Sequence, residues 1–147
     1  MMAEGAFALP SGARLVFACT FDLHSIAAVR RAILSRAPGV GLGEPFLSDF
    51  VLAVNEITTN AVRHGGGRGR LRLWHSVVNL VCEVVDDGAG PVPAVQARMS
   101  EQPVPAPGAE GGRGLWLARK LCDTVTVTAS AAGTRVVLAF SAHLRRA

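Results

Sequence analysis

Three short stretches of this 147-residue chain hold side chains whose types and spacing could do chemistry. The first is Glu56-Ile57-Thr58-Thr59-Asn60-Ala61. On a helix, Glu56 and Asn60 lie one turn apart and can point into one cleft, and the next turn brings Arg63 or His64. A carboxylate can take a proton and an amide oxygen can reach a cation, although a polar flank on an amphipathic helix has the same composition and is commoner. The second stretch is Val84-Val85-Asp86-Asp87-Gly88-Ala89-Gly90, a carboxylate leaving an apolar strand into a glycine turn. Ordinary turns use these residues too, because Gly supplies positive φ and Asp accepts from nearby backbone N–H groups. The functional reading is that Asp86 accepts a hydrogen bond from the exocyclic amine of adenine, while Gly88 and Gly90 let the base approach the backbone. The third stretch, Gly111-Gly112-Arg113-Gly114-Leu115, precedes a helical pattern. Bare N–H groups at a helix N-terminus suit phosphate oxygens, and a flexible loop end is the plainer alternative.

The elements that must position these residues follow from periodicity. Residues 14–22 alternate loosely and read as a strand. Asp22 is then a candidate N-cap for a helix carrying Leu23, Ile26, Ala27, Arg30 and Leu34, ending near Pro38-Gly39. Residues 44–64 place Phe50, Val54, Ile57 and Ala61 on one apolar stripe. Asn60 lies roughly 60° and Glu56 roughly 100° from that stripe at Ile57, so both sit at the rim of a buried face. Residues 68–75 and 77–85 are strand-like runs around Ser76, expected to pair as a hairpin. Residues 91–110 hold five of the eight prolines and no sustained periodicity, which predicts a functional loop, a lid. A helix over 114–122 and strands over 123–130 and 134–141 complete the chain. This order predicts an α/β (α+β) two-layer sandwich, helices packed on one face of a mixed, mostly antiparallel sheet, forming a single domain over 1–147.

Composition narrows the function classes. No apolar run approaches the ~18 residues of a membrane span. Glu4 precedes any Lys or Arg and no basic segment leads into an apolar stretch, so no secretory signal is expected and the cytoplasm is the default. Cys19, Cys82 and Cys122 are far apart in apolar segments, which predicts buried free thiols. The net charge is +4, but the arginines are scattered and no aromatics interleave them, so no direct nucleic-acid binding is expected. Arg68, Arg70 and Arg72 share one strand face, an ordinary solvated surface or, less commonly, one that meets an acidic partner. Trp74 and Trp116 read as packing residues. Lys120 is the only lysine and lies outside any G-K-[ST] sequence, which rules out a Walker A loop. The predominance of Arg over Lys, the absence of Tyr and abundant Ala, Gly and Val point to GC-rich coding, as in actinobacteria.

Taken in order, the three stretches resemble the N, G1 and G2 boxes of the GHKL (HATPase_c) superfamily, and the chain looks most like the anti-sigma-factor serine kinases of the SpoIIAB and RsbW type. Gly133-Thr134-Arg135-Val136 resembles the last box, so the likeness spans nearly the whole sequence. It implies a Bergerat-type fold that binds ATP and Mg²⁺, with the lid at about 91–110 as an ATP lid. By this resemblance Glu56 is the catalytic carboxylate, Asn60 supplies an amide oxygen to Mg²⁺, and Asp86 fixes adenine with Thr134 assisting, directly or through water. Gly88, Gly90, Gly112, Gly114 and Leu115 fall in the ATP-binding boxes, Arg113 faces the γ-phosphate or solvent, and Arg63 and His64 are further phosphate candidates.

The implied activity is phosphorylation of a STAS-type anti-sigma-factor antagonist combined with sequestration of a sigma factor. Relatives of this type often form homodimers, and the sequence leaves monomer and dimer both open. A non-catalytic ATP-binding switch would need Asn60 and Asp86 but not Glu56. A detached histidine-kinase ATP-binding domain is a weaker alternative, because no phosphoacceptor helix precedes the first strand.

Overall fold

The computed structural model describes residues 12–36, 43–76, 79–86, 112–130 and 133–141. Five strands, β1 (Arg14–Asp22), β2 (Arg68–His75), β3 (Leu80–Asp86), β4 (Thr124–Ser130) and β5 (Gly133–Phe140), form one sheet in the order β1-β2-β3-β5-β4. All four pairings among the described residues are antiparallel. Among the described residues three helices accompany it: α1 (Ile26–Arg36), α2 (Phe46–His64) and α3 (Gly112–Leu121). The order of elements is the one that periodicity predicts. The β2–β3 hairpin closes through Ser76 and Asn79, whose backbones and the Ser76 hydroxyl exchange hydrogen bonds of 2.8 and 3.1 Å.

Strand alternation divides the sheet into two faces. One carries Leu71, Leu73, Leu80, Val84, Leu138 and Phe140, all essentially inaccessible, and the helices cover it. α2 forms the centre of the helical layer, burying Phe50, Val54, Ile57 and Ala61 as its stripe predicts. Phe50 meets Phe140 edge-on with ring centroids 5.2 Å apart, which ties α2 to β5. At the start of α2 the Ser48 backbone N–H and hydroxyl both donate to Glu44 Oε1, at 3.2 and 2.6 Å.

The face of α1 differs from expectation. Val29 and Ile33 are buried with Ile26 partly so, whereas Leu23 and Leu34 are exposed. Two stripes share Ile26, one running on through Arg30 and Leu34 and the other through Val29 and Ile33. Burial follows the second because the first would take the Arg30 guanidinium into the core; it instead reaches Asn55 Oδ1 on α2 at 3.4 Å. Asp22 is likewise not the N-cap. Its carboxylate accepts from the His24 N–H at 2.8 Å in a turn, and Ser25, whose carbonyl accepts from the Val29 N–H, stands directly before the helix.

The region read as a lid, 91–110, and the residues Gly88 and Gly90 lie outside the described residues. Cys19, Cys82 and Cys122 are free thiols, Cys82 and Cys122 buried. No helix among the described residues is long and apolar enough to cross a membrane.

Candidate functional site

The polar groups singled out in the sequence gather along the second half of α2. Glu56 and Asn60 are half-buried on adjacent turns, at the margin of the apolar stripe. The start of α3 comes against them at Gly114. A methyl group placed there would lie 2.9 Å from Glu56 Oε1 and 3.1 Å from Asn60 Nδ2, so only glycine admits this approach without displacement. Asn60 Nδ2 is buried and has no hydrogen-bond partner among the described residues. An orphaned amide is costly, on the order of 1–3 kcal/mol, and is a usual mark of a group kept for a ligand. The amide's two ends exchange by a half-turn, so the same position can present the oxygen.

A second group forms where α2 ends. Gly65 caps the helix, its N–H donating to the Ala61 carbonyl at 2.8 Å. Asp86, the last residue of β3, is 8% exposed, and its Oδ1 accepts from the Thr134 backbone N–H at 3.2 Å. Thr134 is buried beside it on β5. Asp86 and Gly65 are so close that a Cβ on the glycine would fall onto the carboxyl group. The structure thus brings together Glu56, Asn60 and Gly114 at one end of a strip, and Gly65, Asp86 and Thr134 at the other.

The remaining candidates are placed less centrally. Arg63 and His64 are exposed in the last turn of α2, where positive charge complements the helix C-terminus. Leu115 is buried under α3, and the backbones of Gly112 and Arg113 form that helix's first turn, whose N–H groups have no intrahelical acceptors. Trp74 and Trp116 are half-buried, with the Arg72 guanidinium and the Lys120 ammonium over their rings at 5.6 and 5.5 Å.

One buried acid escaped the sequence reading. Glu83, 2% exposed, lies on the face away from the helices, and its two oxygens accept separately from Arg72 Nε and Arg135 Nε, each at 2.7 Å. A carboxylate inside the apolar run Leu80-Val81-Cys82-Glu83-Val84-Val85 was the available signal. Ala18, Thr20, Arg70 and Val85 line a groove beside it, on the opposite side of the sheet from Glu56 and Asn60.

The histidine kinase-like ATPase domain family matches residues 19–140, and the chain belongs to it. Membership implies ATP binding in a kinase-like domain. Among solved structures the fold is similar to the RsbU and RsbW domains of Rv1364c from Mycobacterium tuberculosis, with a TM-score of 0.61 and 18% identity over 89% of this chain and 32% of that one. It is similar also to the histidine kinase domain of a blue-light activated histidine kinase from Erythrobacter litoralis EL346, at TM-score 0.54 and 20% identity over 83% and 61% of the two chains. A third similar structure is the mycobacterial sensor histidine kinase MprB, at 0.53 and 16% over 84% and 97%. The chain therefore spans about a third of the first protein's length and less than two thirds of the second's. A comparison with curated proteins finds no match.

Proposed function

We propose that this protein is an ATP- and Mg²⁺-dependent serine/threonine kinase of the anti-sigma type, which phosphorylates a STAS-domain antagonist and sequesters a sigma factor. The observation that carries the reading is the gathering of Glu56 and the orphaned Asn60 amide under Gly114, with Asp86 and Thr134 at the far end of the same helix. From Glu56 to Gly65 the helix rises roughly 13 Å, room for a nucleotide laid along it with its base at Asp86 and its phosphates at the start of α3. The family match and the fold likeness to an RsbW domain support the class.

In this reading the Asp86 carboxylate accepts from the adenine amine, while Thr134 keeps it oriented through its backbone N–H. The Asn60 amide fits Mg²⁺, a hard cation that keeps water and phosphate oxygens as most of its ligands. Bound there, it would neutralise charge on the phosphates. Glu56 takes the proton from the substrate hydroxyl as that oxygen bonds to the γ-phosphorus and the bond to the ADP oxygen breaks. The N–H groups of α3's first turn face the phosphates, the backbones of Gly112, Gly114 and Leu115 forming that wall with Arg63 and His64 as outer contacts, while the Arg113 side chain, read from the sequence as a γ-phosphate contact, lies outside the described residues. The protein acts in the cytoplasm.

Calorimetry beside radiolabelled phosphate transfer tests the assignment. Asn60→Ala should weaken Mg-dependent binding and transfer together. Glu56→Ala should leave binding within about threefold yet slow transfer by ~10² or more, the scale of a positioned general base. Equal transfer by Glu56→Ala would remove its catalytic role. Tight ATP binding by the wild type, with no transfer to any antagonist of the same genome, would make the protein a non-catalytic switch. Transfer to a histidine instead would favour the histidine-kinase alternative, to which the two similar histidine kinases lend support.

A further inference from the structure

Three glycines, Gly65, Gly66 and Gly67, follow α2, and they are glycines for different reasons. Gly66 and Gly67 have φ of 94° and 92°, where L side chains are strained, and a Cβ on Gly67 would meet nothing within 4 Å. They turn the chain. Gly65 has φ −113° and ψ 32°, a conformation that does not require glycine. Its missing side chain serves space instead: a Cβ there would overlap Asp86 Cγ and Oδ2 and come within 2.7 Å of the Ala61 carbonyl oxygen.

We infer that Gly65 is a positioning residue for base recognition, one that lets the Asp86 carboxylate seat against the end of α2 and holds its oxygens in a fixed direction. The inference rests on the reading of Asp86 as the adenine acceptor. Asp86 Oδ1 is held by the Thr134 N–H at 3.2 Å, and Gly65 packs against Cγ and Oδ2. Between these two contacts the carboxylate has little freedom to swing, and at 8% exposure it has little water to turn toward. A fixed acceptor discriminates bases by matching hydrogen-bond polarity. Adenine presents an amine donor to it, whereas hypoxanthine presents a carbonyl oxygen at the same position, setting acceptor against acceptor. Adding one methyl group at Gly65 must displace the carboxylate, because the other close atom belongs to the helix backbone.

The test is calorimetric affinity for ADP and for inosine diphosphate, which carry identical phosphates. The wild type should prefer ADP. Gly65→Ala should lower ADP affinity by about tenfold or more, the loss of one buried charge-assisted hydrogen bond, and leave inosine diphosphate within about threefold, so that the preference collapses. A folded Gly65→Ala protein that keeps the wild-type preference, or that loses both affinities equally, overturns the role of Gly65 alone. A wild type that does not discriminate, or an Asp86→Asn variant that discriminates as well as the wild type, overturns the adenine reading and this inference with it. Thermal unfolding of Gly65→Ala, Asp86→Ala and the double variant covers poor folding of the single variant. The melting loss caused by Gly65→Ala should shrink once the carboxyl group is gone, and equal losses in both backgrounds would show that no contact between the two residues is at stake.

Discussion

On the helix-covered face of the sheet, Leu73, Cys82 and Leu138 lie in register across β2, β3 and β5 and are wholly buried. One residue along, on the opposite face, Arg72, Glu83 and Val137 are in register, and Glu83 is nearly as buried as its apolar neighbours. The faces treat polarity differently. The covered face is apolar through its centre and admits polar groups at the end of β3 and the start of β5, where Asp86 and Thr134 satisfy one another and the layer of α2 runs out at Gly65. The open face keeps a carboxylate at its centre and neutralises it with two guanidiniums, whose side chains are 49% and 29% exposed. A polar group is thus tolerated at the rim of the helical layer, while one in mid-sheet is held between charged partners on neighbouring strands.

Substitutions on the two faces should separate these modes of stabilisation. The largest effect is expected on the covered face, where Phe50→Ala removes the ring packed on Phe140 from a site with no exposed surface. Urea unfolding should show a loss of about 3–5 kcal/mol. A loss below 1 kcal/mol would mean that the helical layer can collapse into the gap. On the open face, Glu83→Ala leaves two cations facing each other without their acid. The guanidiniums reach solvent, so the expected cost is about 1–3 kcal/mol, below that of a fully enclosed pair. A cost equal to that of Phe50→Ala would erase the distinction between the faces.

The smallest effect is a dependence on pH. Burial, assisted by Cys122, Cys19 and Glu83 nearby, pushes the Cys82 thiol well above its ordinary range. A raised pKa in the folded state means that the unfolded chain releases its proton first. The contribution is therefore whole below the unfolded thiol's pKa, near 8.5, and is lost as pH rises toward the folded value, at up to about 1.4 kcal/mol per pH unit. Unfolding measured between pH 8 and 10 should show this decline, and Cys82→Ala should flatten it relative to its own stability at pH 7. An unchanged slope in the variant would assign the decline to other groups.

The local pattern of the chain was enough to order the eight elements among the described residues, to give α2 its buried stripe and to set Glu56 and Asn60 at the stripe's margin, because periods of two and 3.6 residues act over neighbouring positions. The same pattern was misread in α1, where the stripe through Leu34 carries Arg30 while the one through Val29 and Ile33 is apolar throughout, and burial follows the second. Glu83 was hidden for another reason: alternation marks it as facing away from its apolar neighbours, but its burial comes from arginines on two other strands. Tertiary structure alone decided the approaches that define the candidate site. Gly65 reads in sequence as a helix stop and Gly114 as part of a flexible box, yet one makes room for Asp86 and the other for Glu56 and Asn60. Such roles belong to the space between elements distant along the chain, and a glycine's own sequence neighbours carry no record of what will be packed against it.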